Sequence, residues 1–184
     1  MGPADGLVAV DGLDQQLVGG LNLGRAGQLP RYGVSVSNVT ALKQAGAAPI
    51  NVGKFTTTGE SKQDITGRAV GPIKTPDERP FEEYVRKALI DEVQVAGAYS
   101  ESAPVVLSGN LDRIDFSSTE GKWTLAMTVK STNGRSPTVA NDYSYDTSFV
   151  AEKACALTAQ AFGPAVQTLI GKLVYHQEFA GLVK

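Results

Sequence analysis

Residues that commonly do chemistry are scarce in this chain. Its 184 residues include one histidine, His176, and one cysteine, Cys155. A single cysteine excludes an intramolecular disulfide, and one ligand of each type falls short of the clustered Cys and His side chains of a zinc site. Nucleophilic catalysis by a Ser-His-Asp or Cys-His arrangement needs a base held beside its nucleophile. His176 sits near the C-terminus between Tyr175 and Gln177, and it meets Cys155 only if that terminus folds back. Cys155 lies on the apolar side of a helical pattern, where a free thiol behaves as a small hydrophobe.

Long apolar runs are missing as well. None approaches the roughly 18–20 residues that span a bilayer. No basic stretch followed by an apolar one opens the chain, so no signal peptide is present as written, and Met1-Gly2-Pro3-Ala4 reads as a trimmed start. Charge of one sign is not concentrated anywhere. The 17 basic and 19 acidic side chains give a formal net charge of −2 and interleave along the chain. Nucleic-acid binders draw most of their affinity from a basic face that neutralises phosphates, so nucleic acid is not an expected partner. Phosphate-loop and dinucleotide fingerprints are also lacking: Gly59-Glu60-Ser61-Lys62 has no upstream glycine at the required spacing, and the glycines of 19–33 do not form G-x-G-x-x-G. No cofactor is expected.

What is present suits one domain, since 42% of the residues are apolar and a chain of this length can bury a core. Residues 1–33 are dense in glycine, from Gly2 and Gly6 to Gly27 and Gly33, which opposes a regular helix. They are read as a flexible tether or as an irregular strand and turn packed on the domain, with residues 34–184 forming the domain itself. Val34, Val36 and the polar residues between them predict an edge strand over 34–39, a candidate for pairing with a second copy. Ile50, Val52 and Phe55 predict a second strand with an irregularity at Gly53. Residues 56–76 read as a polar loop holding a short extended piece around 65–70.

The strongest periodicity lies at 78–96. Phe81, Tyr84, Val85, Ala88, Leu89 and Val93 recur at helical spacing. Asp77 is available as a cap, Pro80 is tolerable in the first turn, and Gly97 stops the helix. Three strands follow. Val105, Leu107, Gly109 and Leu111 alternate with polar residues until the phase changes near Asp112 and Arg113, which predicts a bulge. Trp123, Leu125, Met127 and Val129 alternate without interruption, and Asn133-Gly134 supplies a two-residue hairpin turn. Val139, Asn141, Tyr143, Tyr145 and Phe149 share one side of the return strand. A broad apolar stripe from Val150 to Val174 predicts a final helix, capped by Ser148 and kinked or divided by Pro164. The fold class is therefore α+β, a mostly antiparallel sheet with two amphipathic helices packed on one face.

Asp112 with Asp115, and Asp142 with Asp146, are the carboxylate pairs from which acid–base chemistry could be built, though adjacent acids on a sheet are usually its wet face. The remaining candidate surface is aromatic: Trp123, Tyr143, Tyr145 and Phe149. Tyrosine and tryptophan suit contact surfaces because one end is apolar and the other forms hydrogen bonds. The same four side chains could instead be core beneath the two helices.

One segment carries a likeness. Thr75-Pro76-Asp77-Glu78-Arg79-Pro80-Phe81 leading through Leu89 to Ala96-Gly97-Ala98-Tyr99, then Val105 to Leu111, and later Phe149 to Cys155, resembles small bacterial envelope lipoproteins and the auxiliary lipoproteins of ABC-type transporters. The resemblance covers about residues 34–175 and lies in architecture more than in single residues. It implies a non-catalytic periplasmic domain, anchored to the outer membrane by a lipidated N-terminal cysteine that this sequence lacks, and a binding or assembly role toward an envelope protein or a lipid-like ligand. The alternative is a cytoplasmic α+β carrier with an apolar pocket between helices and sheet.

Overall fold

The computed structural model describes residues 27–46, 48–66 and 72–184. Its first helix, α1 (Val36–Gln44), stands where alternation predicts an edge strand. Ser35 decides the matter: its Oγ accepts from Asn38 N–H at 3.4 Å and satisfies one of the donors a helix start leaves free. Asn38, Val39, Ala41 and Leu42 then fall on one buried side, whereas Val36 is 82% exposed. The expected adhesive edge is therefore a helix packed on the domain.

Strand β1 (Ile50–Thr57) leads to a small antiparallel arm, β2 (Asp64–Thr66) with β3 (Pro72–Lys74). Part of the extended piece expected at 65–70 is thus β2, and the rest lies outside the described residues. Helix α2 (Phe81–Val95) follows, then β4 (Val105–Ser117), β5 (Lys122–Ser131) and β6 (Thr138–Ser144). The four long strands make one sheet in the order β1-β4-β5-β6. The β4–β5–β6 meander is antiparallel as expected, but β1 runs parallel to β4, so the sheet is mixed. A parallel pair needs a crossover, and α2 lies within it.

Two irregularities shape the sheet. The pairing of β4 with β5 shifts between Leu111 and Arg113, at the bulge that the change of phase predicts. Pairing of β1 with β4 shifts between Val52 and Phe55, around Gly53. The β5–β6 turn is longer than Asn133-Gly134 alone. Ser131 N–H donates to Arg135 O at 2.9 Å and Gly134 N–H to Ser131 O at 3.0 Å, with Gly134 at φ 91°, the left-handed position of a three-residue loop.

Pro80, not Asp77, occupies the N-cap position of α2. At the other end Ala98 N–H donates to Val93 O at 3.0 Å and Gly97 N–H to Gln94 O at 2.9 Å, while Gly97 takes φ 76°. That is a Schellman closure, which needs a residue free to turn left-handed. Helix α3 (Ala151–Val174) runs through Pro164 without a break. Phe162, Ala165, Val166 and Leu169 are fully buried on both sides of the proline, and this packing offsets the hydrogen bond that proline removes. Ser148 does not bond inside the helix; its Oγ accepts from Val150 N–H at 3.2 Å. A last turn, α4 (Phe179–Leu182), tucks Leu182 and Val183 into the core. Among the described residues no helix is long and apolar enough to cross a membrane.

Helices α2 and α3 cover one face of the sheet, and α1 bridges them. Between the layers Trp123, Phe162, Tyr84 and Phe81 form a continuous aromatic file, with centroids 4.8 Å apart for Trp123–Phe162, 5.2 Å for Tyr84–Phe162 and 5.5 Å for Phe81–Phe162. Residues 1–26 of the expected tether lie outside the described residues. Residues 27–33 belong to the domain: Leu29 is 2% exposed, and its N–H donates to Lys74 O at 2.8 Å.

Candidate functional site

The four aromatic residues singled out from sequence do not form one surface. Trp123 is 0% exposed, and its indole N–H donates to Thr158 O at 2.9 Å inside the core. The Tyr145 hydroxyl shares a 2.8 Å hydrogen bond with Thr158 Oγ1; burial raises this phenol above its ordinary range. Tyr143 is half-buried against the same cluster. Phe149 stands apart, fully exposed on the β6–α3 connection. Core packing is the physical role of Trp123, and it comes from strand alternation meeting the α3 stripe.

Asp112 is engaged by neutral donors, and Asp115 pairs with Arg113 at 3.5 Å. Asp112 Oδ1 accepts from Asn110 Nδ2 and Oδ2 from Thr128 Oγ1, each at 2.7 Å. Asp115 caps the N–H of Phe116 at 2.9 Å. Asp142 and Asp146 are exposed. His176 Nδ1 accepts from Glu178 N–H at 3.2 Å, and Cys155 is buried. Among the described residues no hydrogen bond joins His176 to Cys155, Asp112 to Asp115 or Asp142 to Asp146, the pairs weighed from sequence.

A different place has the features of a site. A recess of about 300 Å3 lies between residues 31–32, the turn at 76–79 and one side of α2. The turn is backbone of an uncommon kind. Asp77 has φ 61° and ψ 20°, and Glu78 has φ 53°, so two consecutive residues with side chains sit in the left-handed region. Each costs about 1–2 kcal/mol, and such strain persists only where the surroundings impose it. Here Thr75 N–H donates to Gln63 O at 3.2 Å, Phe81 N–H donates to Lys62 O at 3.1 Å, and the Thr75 hydroxyl donates to Arg79 O.

Two tyrosines form the wall. Their rings stand edge to face, 6.2 Å apart at 89°. Tyr84 donates its hydroxyl to Pro30 O at 3.1 Å. Tyr32 donates to Glu92 Oε1 at 2.5 Å, where Ser35 N–H at 3.0 Å and Asn38 Nδ2 at 3.3 Å also converge. Glu92 is fully buried, and among the described residues its Oε2 has no hydrogen-bond partner. Burial raises the Tyr32 phenol far above the ordinary range, helped by the bond to Glu92, and burial alone raises Tyr84. Both phenols are therefore neutral, with their O–H groups committed inward, and what they offer the recess is ring.

Charge lies at the rim. Arg31 faces Asp77 at 3.7 Å, Lys87 pairs with Asp91 at 2.9 Å, and Glu83 pairs with Arg86 at 3.3 Å. Arg86 also donates to Gly53 O at 2.6 Å and Val52 O at 3.2 Å, closing the edge of β1 at its bulge. Sequence reasoning placed Tyr32 in a segment read as a tether or as an irregular strand and turn packed on the domain, and Asp77 as a cap. The only available signal was the Pro76–Pro80 spacing around three charged residues.

No family model and no curated protein matches the chain. Among solved structures it is similar to a provisionally named lipoprotein of Caulobacter crescentus CB15. That likeness has 15% identity, covers 79% of this chain and 94% of the other, and has a TM-score of 0.36.

Proposed function

We propose that this chain is the folded body of a non-catalytic cell-envelope lipoprotein, anchored at the periplasmic side of the outer membrane, and that it works as a binding module. The observation that carries the binding role is the recess beside α2: a strained turn, an aromatic wall with its hydroxyls turned inward, and a charged rim. Strain of this kind is selected against unless it positions something. The envelope half of the reading rests on the resemblance of 75–99 and 105–111 to envelope lipoproteins. Those residues form one continuous piece of the fold, running from the turn through α2 and its Gly97 stop into β4. A catalytic role finds no support in the engagement of Asp112, His176 and Cys155 described above. The aromatic file around Phe162 fills the middle of the layer between helices and sheet, which favours the binding-module reading over a carrier with an apolar pocket there.

The binding role is tested by titrating the 15N-labelled chain with a library of small aromatic and aliphatic fragments. Shifts that saturate at residues 31–32, 76–79 and 83–91 support it. Shifts confined to the open sheet face around Ser108, Thr124 and Thr128 would move the function there.

A further inference from the structure

We infer that the bare face of the sheet carries a second binding site, one for a neutral carbohydrate. It is independent of the recess beside α2. A hydrogen-bonded ladder crosses all four long strands on the face opposite the helices. From β1, Thr56 donates its hydroxyl to Asn110 Oδ1 at 2.8 Å. In β4, Asn110 Nδ2 donates to Thr58 Oγ1 at 2.8 Å and to Asp112 Oδ1 at 2.7 Å. In β5, Thr128 donates to Asp112 Oδ2 at 2.7 Å, and its hydroxyl lies 2.8 Å from that of Thr138 in β6. A carboxylate only accepts. Thr128 therefore spends its proton on Asp112, and Thr138 must donate to Thr128.

The donors of the ladder are thus committed within it, except one. The Thr58 hydroxyl accepts from Asn110 and, among the described residues, gives its proton to no partner. What faces outward is lone pairs on Asp112, Thr56 and Thr138 beside that free O–H. Asp112 and Thr58 also line a cleft of about 370 Å3 at the bulge of β4, a volume within the range of small-ligand sites. In the same cleft Glu82 is 6% exposed, and one of its carboxylate oxygens accepts from the Ser61 hydroxyl. Charges of both signs stand side by side there, Glu60, Glu82 and Asp112 with Lys62 and Arg113, and Arg113 also pairs with Asp115 at 3.5 Å. An ammonium answers only the acceptors, and an inorganic anion only the donors. A sugar hydroxyl answers both, since its O–H donates to a carboxylate while its oxygen accepts from Thr58, Lys62 or Arg113. Ile65 and Ile114 supply apolar wall for the C–H groups of the ring. From the cleft the ladder continues to β6, about 14 Å away at the usual strand spacing, so a short oligosaccharide can extend along it.

The test titrates the 15N-labelled chain with cellotriose, maltotriose and triacetylchitotriose, and with 1,4-diaminobutane and inorganic phosphate as ions without a sugar. At least one trisaccharide should bind saturably in the millimolar range, with shifts at Thr57, Thr58, Glu82, Asp112 and Arg113. Both ions should bind there at least about tenfold more weakly. Asp112→Asn should lower sugar affinity by about tenfold or more, the size of a lost charge-assisted hydrogen bond. Thr58→Val removes the free hydroxyl at an exposed position; it should leave the thermal midpoint unchanged and lower affinity by about threefold or more. Whichever trisaccharide responds identifies the sugar and supports the inference. Diamine or phosphate binding that equals the sugars makes the cleft an ion site and overturns it. Sugar affinity that survives either substitution, or the absence of cleft shifts with every trisaccharide, overturns it as well. None of these outcomes touches the recess beside α2, which is read at residues 31–32 and 76–79.

Discussion

Gly109 in β4 occupies a position where a side chain would meet Phe55. A Cβ built on Gly109 would lie 2.5 Å from Phe55 Cε2 and Cζ and 2.8 Å from Cδ2. Carbon atoms settle at about 3.5–4.0 Å, so the ring would have to retreat by about 1 Å. Phe55 is 2% exposed in the layer under α2, and close-packed interiors resist such a shift. Gly109→Ala should therefore cost about 1–3 kcal/mol of overpacking, less about 0.5–1 kcal/mol because alanine has less freedom to lose on folding. The expected net is about 1–2 kcal/mol destabilising. Phe55→Leu alone should cost about 1–2 kcal/mol through lost contacts and a residual cavity. In the double variant the methyl group enters space the ring has vacated, so the pair should cost little more than Phe55→Leu by itself. Urea unfolding read by Trp123 fluorescence gives the free energies, provided the m-value is unchanged. A favourable coupling of about 1–2 kcal/mol is expected. Costs that add to within about 0.5 kcal/mol would refute the claim that this glycine exists to admit Phe55.

Replacing Asp77 or Glu78 by glycine should raise stability by about 0.5–1 kcal/mol each, because glycine reaches positive φ without strain but loses more freedom on folding; unchanged or lowered urea midpoints would show that the turn is unstrained. Tyr32 and Tyr84 have folded-state values raised above the ordinary 10.0, chiefly by burial. Stability from them is complete below pH 10.0 and is lost as pH rises above it, because only the unfolded chain releases these protons. Alkaline titration followed at 295 nm should show Tyr32 and Tyr84 ionising only with unfolding; early reversible ionisation of all tyrosines would contradict their burial. Trp123→Phe should cost about 2–4 kcal/mol, from lost volume and the lost indole hydrogen bond to Thr158 O, and wild-type Trp123 emission should be blue-shifted until unfolding.

Where local pattern and burial coincide, the fold was legible. Trp123, Leu125, Met127 and Val129 alternate in sequence and are all fully buried, and the stripe from Phe81 to Val93 is the buried side of α2. Val34 to Val39 misled because valine and serine in alternation also accommodate a helix once Ser35 caps it. The parallel pairing of β1 with β4 joins segments about fifty residues apart, and no local periodicity reports it. Trp123 and Tyr145 admitted surface and core readings alike; the cross-layer bonds to Thr158 decide for core. The recess was hidden for a related reason. Tyr32 lies in a glycine-dense stretch, and its partner Glu92 is 60 residues away. Asp77 and Glu78 turn left-handed under tertiary restraint, with no glycine or asparagine to announce it.

The envelope assignment is tested most directly by growing cells that carry the complete native open reading frame with an alkyne-bearing palmitate analogue and isolating the protein through its folded domain. Label on the protein, recovery in the outer-membrane fraction, and loss of both on replacing an upstream cysteine by serine are the expected results. Unlabelled protein in the soluble cytoplasmic fraction would contradict the assignment.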